Sequence, residues 1–190
     1  MYFVLKSKSF ISRLGATWGV AGVVILLAYA VGRLAAITVE SFDTVWDWRV
    51  WAVMGINGAF MLYSEGYRGF QQAFSPRVVA RARHIFEHPT IASVLLAPLF
   101  CMGYFNATRR RLITSYLLTV FIILCIVAFQ YLDQPWRGAL DAGVVLGLSW
   151  GVISILAFAW VAVKQPQSFS FATDVPSLDE VATTNSRREQ

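Results

Sequence analysis

Three stretches of the chain are apolar over a length that crosses a lipid bilayer. They run at about 14–37, 112–132 and 139–163, and each exceeds the roughly 20 residues that the hydrocarbon core requires. A chain of 190 residues that is 57% hydrophobic and 14% charged is too small to bury these stretches in a soluble fold. The sequence therefore predicts an all-α integral membrane protein, a polytopic helix bundle forming one domain over 1–164.

Two further apolar segments complete the predicted bundle. The segment at about 46–67 spans the membrane if it uses the aromatic residues at its ends. The segment 90–105 contains Pro98, and a helix of its length rises only about 24 Å against a core of about 30 Å. We expect four transmembrane helices and a short re-entrant or interfacial segment at 90–105, with five transmembrane helices as the alternative.

Basic residues indicate the orientation, because Lys and Arg collect on the cytoplasmic side of a membrane. With a cytoplasmic N-terminus and a returning segment 90–105, eleven Lys and Arg residues beside the spans lie inside and two outside. If that segment crosses the membrane, eight of these residues lie inside and five outside. We therefore expect four spans with both termini cytoplasmic, in a bacterial inner (plasma) membrane. The polar stretch 165–190 is then a mobile cytoplasmic tail.

The segment 76–88 predicts an amphipathic helix on the cytoplasmic membrane surface. Ser75 can cap such a helix, Pro76 suits its first position and Pro89 ends it. Its apolar and basic side chains fall on opposite faces. Basic side chains in this position meet anionic lipid headgroups. The residues that we expect to bind lipid or a partner protein are Arg77, Arg81, Arg83, Arg109, Arg110 and Arg111.

The same segment contains both histidines of the chain, in the spacing H-x-x-E-H. His84 and His88 lie one helical turn apart and can share a metal, and Glu87 can act as a base on metal-bound water. A catalytic zinc site needs a third protein ligand, for which Glu65 is the nearest carboxylate in the sequence. Zinc or another divalent metal at His84, Glu87 and His88 is the one cofactor hypothesis; otherwise we expect no cofactor.

Small residues recur at every fourth position of the last apolar stretch, beginning at Ala139. This GxxxG pattern allows another helix to approach closely. The residues that we expect at the helix contact are Gly143, Gly147 and Gly151. The spacing does not distinguish packing within the chain from contact with a second chain.

A few polar residues interrupt the apolar segments. Asn57, near the middle of its segment, predicts an interhelical hydrogen bond. Asp141 is spaced to pair with Arg137, and Glu65, near the inner boundary, is spaced to pair with Arg68. The surrounding stretch 63–70, with two glycines and two tyrosines, predicts an interfacial turn; a headgroup-binding pocket is the alternative.

No nucleotide-binding loop and no nucleophile elbow is present in the sequence. The basic residues lie beside apolar segments, which favours a role in membrane topology over nucleic-acid binding. We therefore expect a non-enzymatic membrane protein, an accessory or interaction subunit. Its basic cytoplasmic surface would meet anionic lipid, a partner membrane protein or a second copy of the chain. The alternatives are a membrane-embedded metal-dependent enzyme that uses the H-x-x-E-H stretch, and a small-solute or lipid transporter.

Overall fold

A computed structural model describes residues 2–165, with side chains from Phe10 onward. Over these residues the chain is helical with short connections and has no strand, which confirms the all-helical fold. The predicted polar tail lies, from residue 166 onward, outside the described residues. In chain order the helices are α1 (Tyr2–Ser41), α2 (Trp48–Met61), a π-helix (Leu62–Phe74), α3 (Ser75–Glu87), α4 (Ile91–Leu95), α5 (Ala97–Met102), α6 (Arg109–Phe129) and α7 (Trp136–Lys164).

Three of these helices are long and apolar enough to cross a membrane. They cover Phe10–Ser41 of α1, all of α6 and all of α7. The central pair is α1 and α7, which pack along their lengths in opposite directions. At one end Thr38 donates to the carbonyl oxygen of Gly138 over 3.5 Å, and Gln134 donates to that of Ile37 over 3.4 Å. The connections 42–47 and 130–135 therefore lie at the same end of the bundle.

The second part of the bundle is one unbroken helix from Trp48 to Glu87. Asp47 caps its start, because its side chain accepts from the backbone N–H groups of Arg49 and Val50 at 3.0 Å each. The helix continues through the π-helix, where i→i+5 hydrogen bonds replace the α-helical pattern. The predicted interfacial turn at 63–70 and the predicted break before residue 76 are therefore wrong.

Close packing explains why the glycine at the centre of that stretch does not form a turn. A Cβ atom on Gly66 would lie 3.1 Å from the Cβ atom of Trp150, so this glycine brings the π-helix onto α7. Ser75 does not cap a helix, since its own N–H donates to the carbonyl of Phe70, five residues earlier. Pro76, which has no N–H, lies where the helix changes from π to α.

Helix α3 is packed inside the bundle, contrary to the predicted amphipathic helix on the membrane surface. It lies against α1, α5 and α7. Val78 and Ile85 are fully buried among side chains of α1 and α5, while Val79 and Ala80 pack on α7. Because three helices surround α3, both of its faces are covered over most of its length.

The short apolar segment forms two small helices, α4 and α5, of five and six residues. Thr90 and Ser93 form a capping box at the start of α4. Leu96 leaves the helical conformation two residues before Pro98. Gly103, with φ +86°, ends α5 in a left-handed conformation that favours glycine. Neither helix is long enough to cross a membrane.

Three glycines of α1 bring α4 and α5 close to its first half. A Cβ atom would lie 2.9 Å from Val94 at Gly15 and 2.8 Å from Cys101 at Gly19, and it would overlap the ring of Pro98 at Gly22. The segment 90–105 therefore packs beside the N-terminal half of α1. Helix α6 lies at the edge and touches the loop after α5, where Tyr104 and Thr119 share a hydrogen bond of 2.6 Å.

Candidate functional site

Arg81 is the largest fully buried side chain among the described residues, with 2% of its surface exposed. Its Nε donates to the carbonyl oxygen of Phe100 over 2.6 Å. Its Nη2 donates to the carbonyl oxygens of Phe105 and Asn106 over 2.9 and 3.0 Å. The guanidinium also lies 4.2 Å from the centre of the Phe100 ring. The cation therefore fixes the end of α5 and the loop that follows it onto α3.

This placement overturns the prediction that Arg81 binds lipid or a partner. The sequence pattern placed it on a solvated face, but α3 packs against α5 on that side. Arg81 instead lies beside the C-terminal carbonyl groups of α5, the negative end of the helix dipole. Its role in the described structure is to hold two parts of the chain together.

The other five predicted basic residues differ in exposure. Arg109 and Arg110 are exposed at the start of α6, while Arg111 is half-buried beside Gly103. On α3, Arg77 is half-buried, and Arg83 forms an ion pair of 2.8 Å with Glu87. Because Arg81 draws the loop before α6 onto α3, these two groups of arginines lie at one end of the bundle.

The two histidines lie side by side at that same end. Their ring centres are 5.2 Å apart, and the ring of His84 stacks on Phe100 at 6.1 Å. Burial lowers the pKa of His84; the charges of His88 and Arg81 act in the same direction, and Glu87 opposes them. Neutral imidazole is the form that binds metal, so His84 suits a ligand role.

Among the described residues no third ligand joins the histidines. Glu87 forms an ion pair with Arg83, and Glu65 packs against Gly147 of α7. Within residues 2–165 no three side chains among His, Cys, Asp and Glu are grouped so that they could hold a metal ion. The predicted set of His84, Glu87 and His88 therefore supplies two imidazoles and a carboxylate that already has a partner.

Two predicted polar contacts inside the apolar segments are present. The side-chain amide of Asn57 donates to the carbonyl oxygen of Leu140 over 2.9 Å and links α2 to α7. Asp141, which is 3% exposed, lies 3.7 Å from Nε of Arg137. The Arg137–Asp141 pair follows from i,i+4 spacing along α7, and a polar amide in the middle of an apolar helix is expected to bond to a neighbouring helix, which explains why both could be predicted.

The glycines of α7 lie where α2 and the π-helix cross it. A Cβ atom on Gly143 would overlap the side-chain amide of Asn57, and one on Gly147 would lie 2.9 Å from Oε2 of Glu65. On Gly151 it would lie 2.6 Å from the ring of Phe70. These three glycines therefore make contacts within the chain.

Glu65 packs against the middle part of α7, whereas the sequence placed it near the end of its own helix. The π-helix turns its side chain onto Gly147, which lies eleven residues after Trp136 and seventeen before Lys164. Its Oε2 atom is buried and has no hydrogen-bond partner among the described residues. The error arose because the helix was expected to end at residue 67, whereas it continues for twenty more residues.

Sequence reasoning also missed two features near this site. Trp150 donates from its indole nitrogen to the side-chain oxygen of Gln71 in the π-helix over 2.9 Å. A groove of about 730 Å³ opens between the start of α1, the end of α3 and α4. Ser12, Glu87, His88 and Thr90 supply its polar lining, and neighbouring apolar side chains supply the rest.

The chain was compared with models of known protein families, with curated proteins and with solved structures, and it matches none of them.

Proposed function

We propose that this chain is a non-enzymatic integral membrane protein, an accessory or interaction subunit whose basic cytoplasmic end binds anionic phospholipid. The observation that carries the proposal is the set of bonds from Arg81 to the loop before α6. These bonds bring arginines from two distant parts of the sequence to one end of the bundle. A concentration of guanidinium groups beside apolar helices is the feature that anionic headgroups recognise.

The proposal includes four transmembrane helices. The fourth is the span predicted at about 46–67; because its helix continues without a break to Glu87, we place the inner end of this span beyond residue 67. Its support is the position of α2 and the π-helix, which pack on α7 beside the apolar helix α1. The two short helices α4 and α5 favour a segment that enters and returns at the N-terminal end of α1. The proposed location is a bacterial inner membrane with both termini cytoplasmic.

Labelling of single cysteines tests this topology. In a chain with Cys101→Ala and Cys125→Ala, we expect Thr108→Cys to react with an impermeant maleimide only from the cytoplasmic side. Val45→Cys is the matched control, since Val45 is 92% exposed in the connection between α1 and α2 and should react only from the opposite side. Labelling of both cysteines from one side would contradict four spans.

The lipid proposal predicts a loss of affinity at one end of the molecule. We expect the triple variant Arg77→Gln, Arg109→Gln, Arg110→Gln to bind added phosphatidylglycerol more weakly by about fivefold for each arginine, since each contributes about 1 kcal/mol near an anionic surface. Native mass spectrometry of the protein in neutral detergent measures the apparent Kd.

Arg49→Gln provides the control for overall charge. Arg49 is exposed at the start of α2, at the opposite end of the bundle, so its loss should leave the affinity unchanged. The affinity should fall with added salt in the wild type and much less in the triple variant. Equal losses in the control and the triple variant, or unchanged affinity in the triple variant, would overturn the lipid proposal.

A further inference from the structure

Glu65 combines three properties that neither the lipid proposal nor the helix packing explains. It packs against Gly147 in the middle part of α7, where the backbone is about 16 Å from one end of that helix and about 25 Å from the other. Its Oε2 atom is excluded from solvent without a hydrogen-bond partner in the described chain. It belongs to a π-helix, a conformation that occurs frequently at functional sites.

The neighbouring elements provide no compensating charge beside this carboxyl group. Helix α7 has no charged residue between Asp141 and Lys164, and Asp141 is near Arg137. On the π-helix the other charged residue is Arg68, which is exposed, and α2 has only Arg49 at its start. The charged and titratable residues of α3, the third element packed against the π-helix, are Arg77, Arg81, Arg83, His84 and Glu87, which lie beyond the end of the π-helix.

An ionised carboxylate in this position has a high free-energy cost. Transfer of a charge from water to an apolar environment is unfavourable unless a counter-ion or several hydrogen bonds compensate it. A neutral carboxylic acid avoids most of this cost, because only one hydroxyl donor and the acceptor oxygens then need partners. The carbonyl oxygen of Met61, which is near the same glycine, is an acceptor in this part of the interface.

We propose that Glu65 is an intramembrane proton-binding site, a carboxylic acid that holds its proton at neutral pH while it is packed against Gly147. The ligand is the proton itself, and the equilibrium is the loss of one proton from the carboxyl group to water. Ionisable residues inside membranes are rare and costly, and proton relays built from Asp, Glu or His are among their known uses. This inference is independent of lipid binding at the basic end and goes beyond the proposed function.

Infrared difference spectroscopy of the full chain in lipid membranes tests the protonation state directly. The spectrum of the wild type minus that of Glu65→Gln is expected to contain the C=O stretch of a protonated carboxyl group at pH 7, shifted on exchange into D₂O. Asp141→Asn is the matched control, because Asp141 is buried beside a counter-ion, and it should leave this band unchanged. Absence of the band in the wild type at pH 7 would overturn the proposal.

Reaction with dicyclohexylcarbodiimide gives a second, chemical readout. The acid transfers its proton to a nitrogen of the reagent, the carboxylate oxygen attacks the central carbon, and an acyl shift leaves a stable N-acylurea without loss of a leaving group. Peptide mass spectrometry should find Glu65 labelled at pH 7, whereas Glu40 and Glu87, which are exposed, should remain unmodified. Labelling that is equal at all three glutamates would contradict a proton held selectively at Glu65.

Discussion

Replacing Arg81 with alanine is expected to lower the free energy of unfolding by about 3–5 kcal/mol, the range seen when one partner of a buried charged contact is removed. The guanidinium donates to three backbone carbonyl groups, and those of Phe105 and Asn106 belong to a loop without regular structure. Each carbonyl that loses its donor in a buried position costs about 1–3 kcal/mol. The ring of Phe100 would also lose the cation packed on it.

Arg83→Ala is the control from the same helix. Arg83 pairs with Glu87 four residues later, and the two side chains are 40% and 46% exposed. An exposed pair of this kind contributes about 0.3–0.5 kcal/mol. Reversible unfolding of both variants in mixed detergent and SDS measures the difference between them.

Arg81→Lys separates the role of the charge from that of the geometry. Lysine keeps the positive charge but presents its donors from one point, so it cannot reach all three carbonyl groups as the guanidinium does. Arg81→Lys should recover part of the stability that Arg81→Ala loses. If the alanine variant does not fold, the stability of the lysine variant is compared with that of the wild type instead. An alanine variant within about 1 kcal/mol of the wild type would refute the role assigned to Arg81.

Arg81 also shows where reasoning from the sequence stops. Its spacing from Arg77 and His84 is typical of a solvated face, and that pattern is the same whether the face meets water or another helix. The contact depends on Phe100, Phe105 and Asn106, which lie nineteen to twenty-five residues away. Local periodicity contains no information on such a contact.

Features set by local chemistry were predicted more successfully. The long apolar helices follow from hydropathy, the interhelical hydrogen bond of Asn57 from a polar residue inside an apolar segment, and the pair of Arg137 with Asp141 from spacing along one helix. The prediction for the stretch 63–70 was wrong because glycine and polar residues are typical of turns. The helix that forms there is stabilised by packing on α7. A glycine such as Gly66 favours a turn locally but permits close helix contact when a large ring lies opposite.

The second large effect is expected at Gly143, where Gly143→Leu should destabilise the bundle by about 2–4 kcal/mol. Even the first added atom, Cβ, would overlap the side-chain amide of Asn57, and it would lie 3.2 Å from the backbone oxygen of the same residue. Overpacking of a tight contact costs about 1–3 kcal/mol, and the hydrogen bond from Asn57 to α7 would be lost in addition. The whole of α2 must then move away from α7.

Gly55→Leu provides the matched control, because Gly55 is exposed on α2 and a Cβ atom there would meet no atom within 4 Å. Leucine has the higher helix propensity by up to about 1 kcal/mol, so this variant should be neutral or slightly more stable than the wild type. The two leucine variants should thus change the free energy of unfolding in different directions, although each replaces a glycine in an apolar helix. Unfolding in mixed detergent and SDS compares them under one set of conditions.

A double-mutant cycle with Asn57→Ala identifies the cause of the loss. Alone, Asn57→Ala should cost about 0.6 kcal/mol, the average for a hydrogen bond between membrane helices. In the Gly143→Leu background it should cost less or restore stability, because alanine removes the amide with which the leucine collides. Additive losses would mean that the leucine disrupts the bundle elsewhere. A coupling of about 1 kcal/mol or more would locate the close contact between α2 and α7 at this pair of residues.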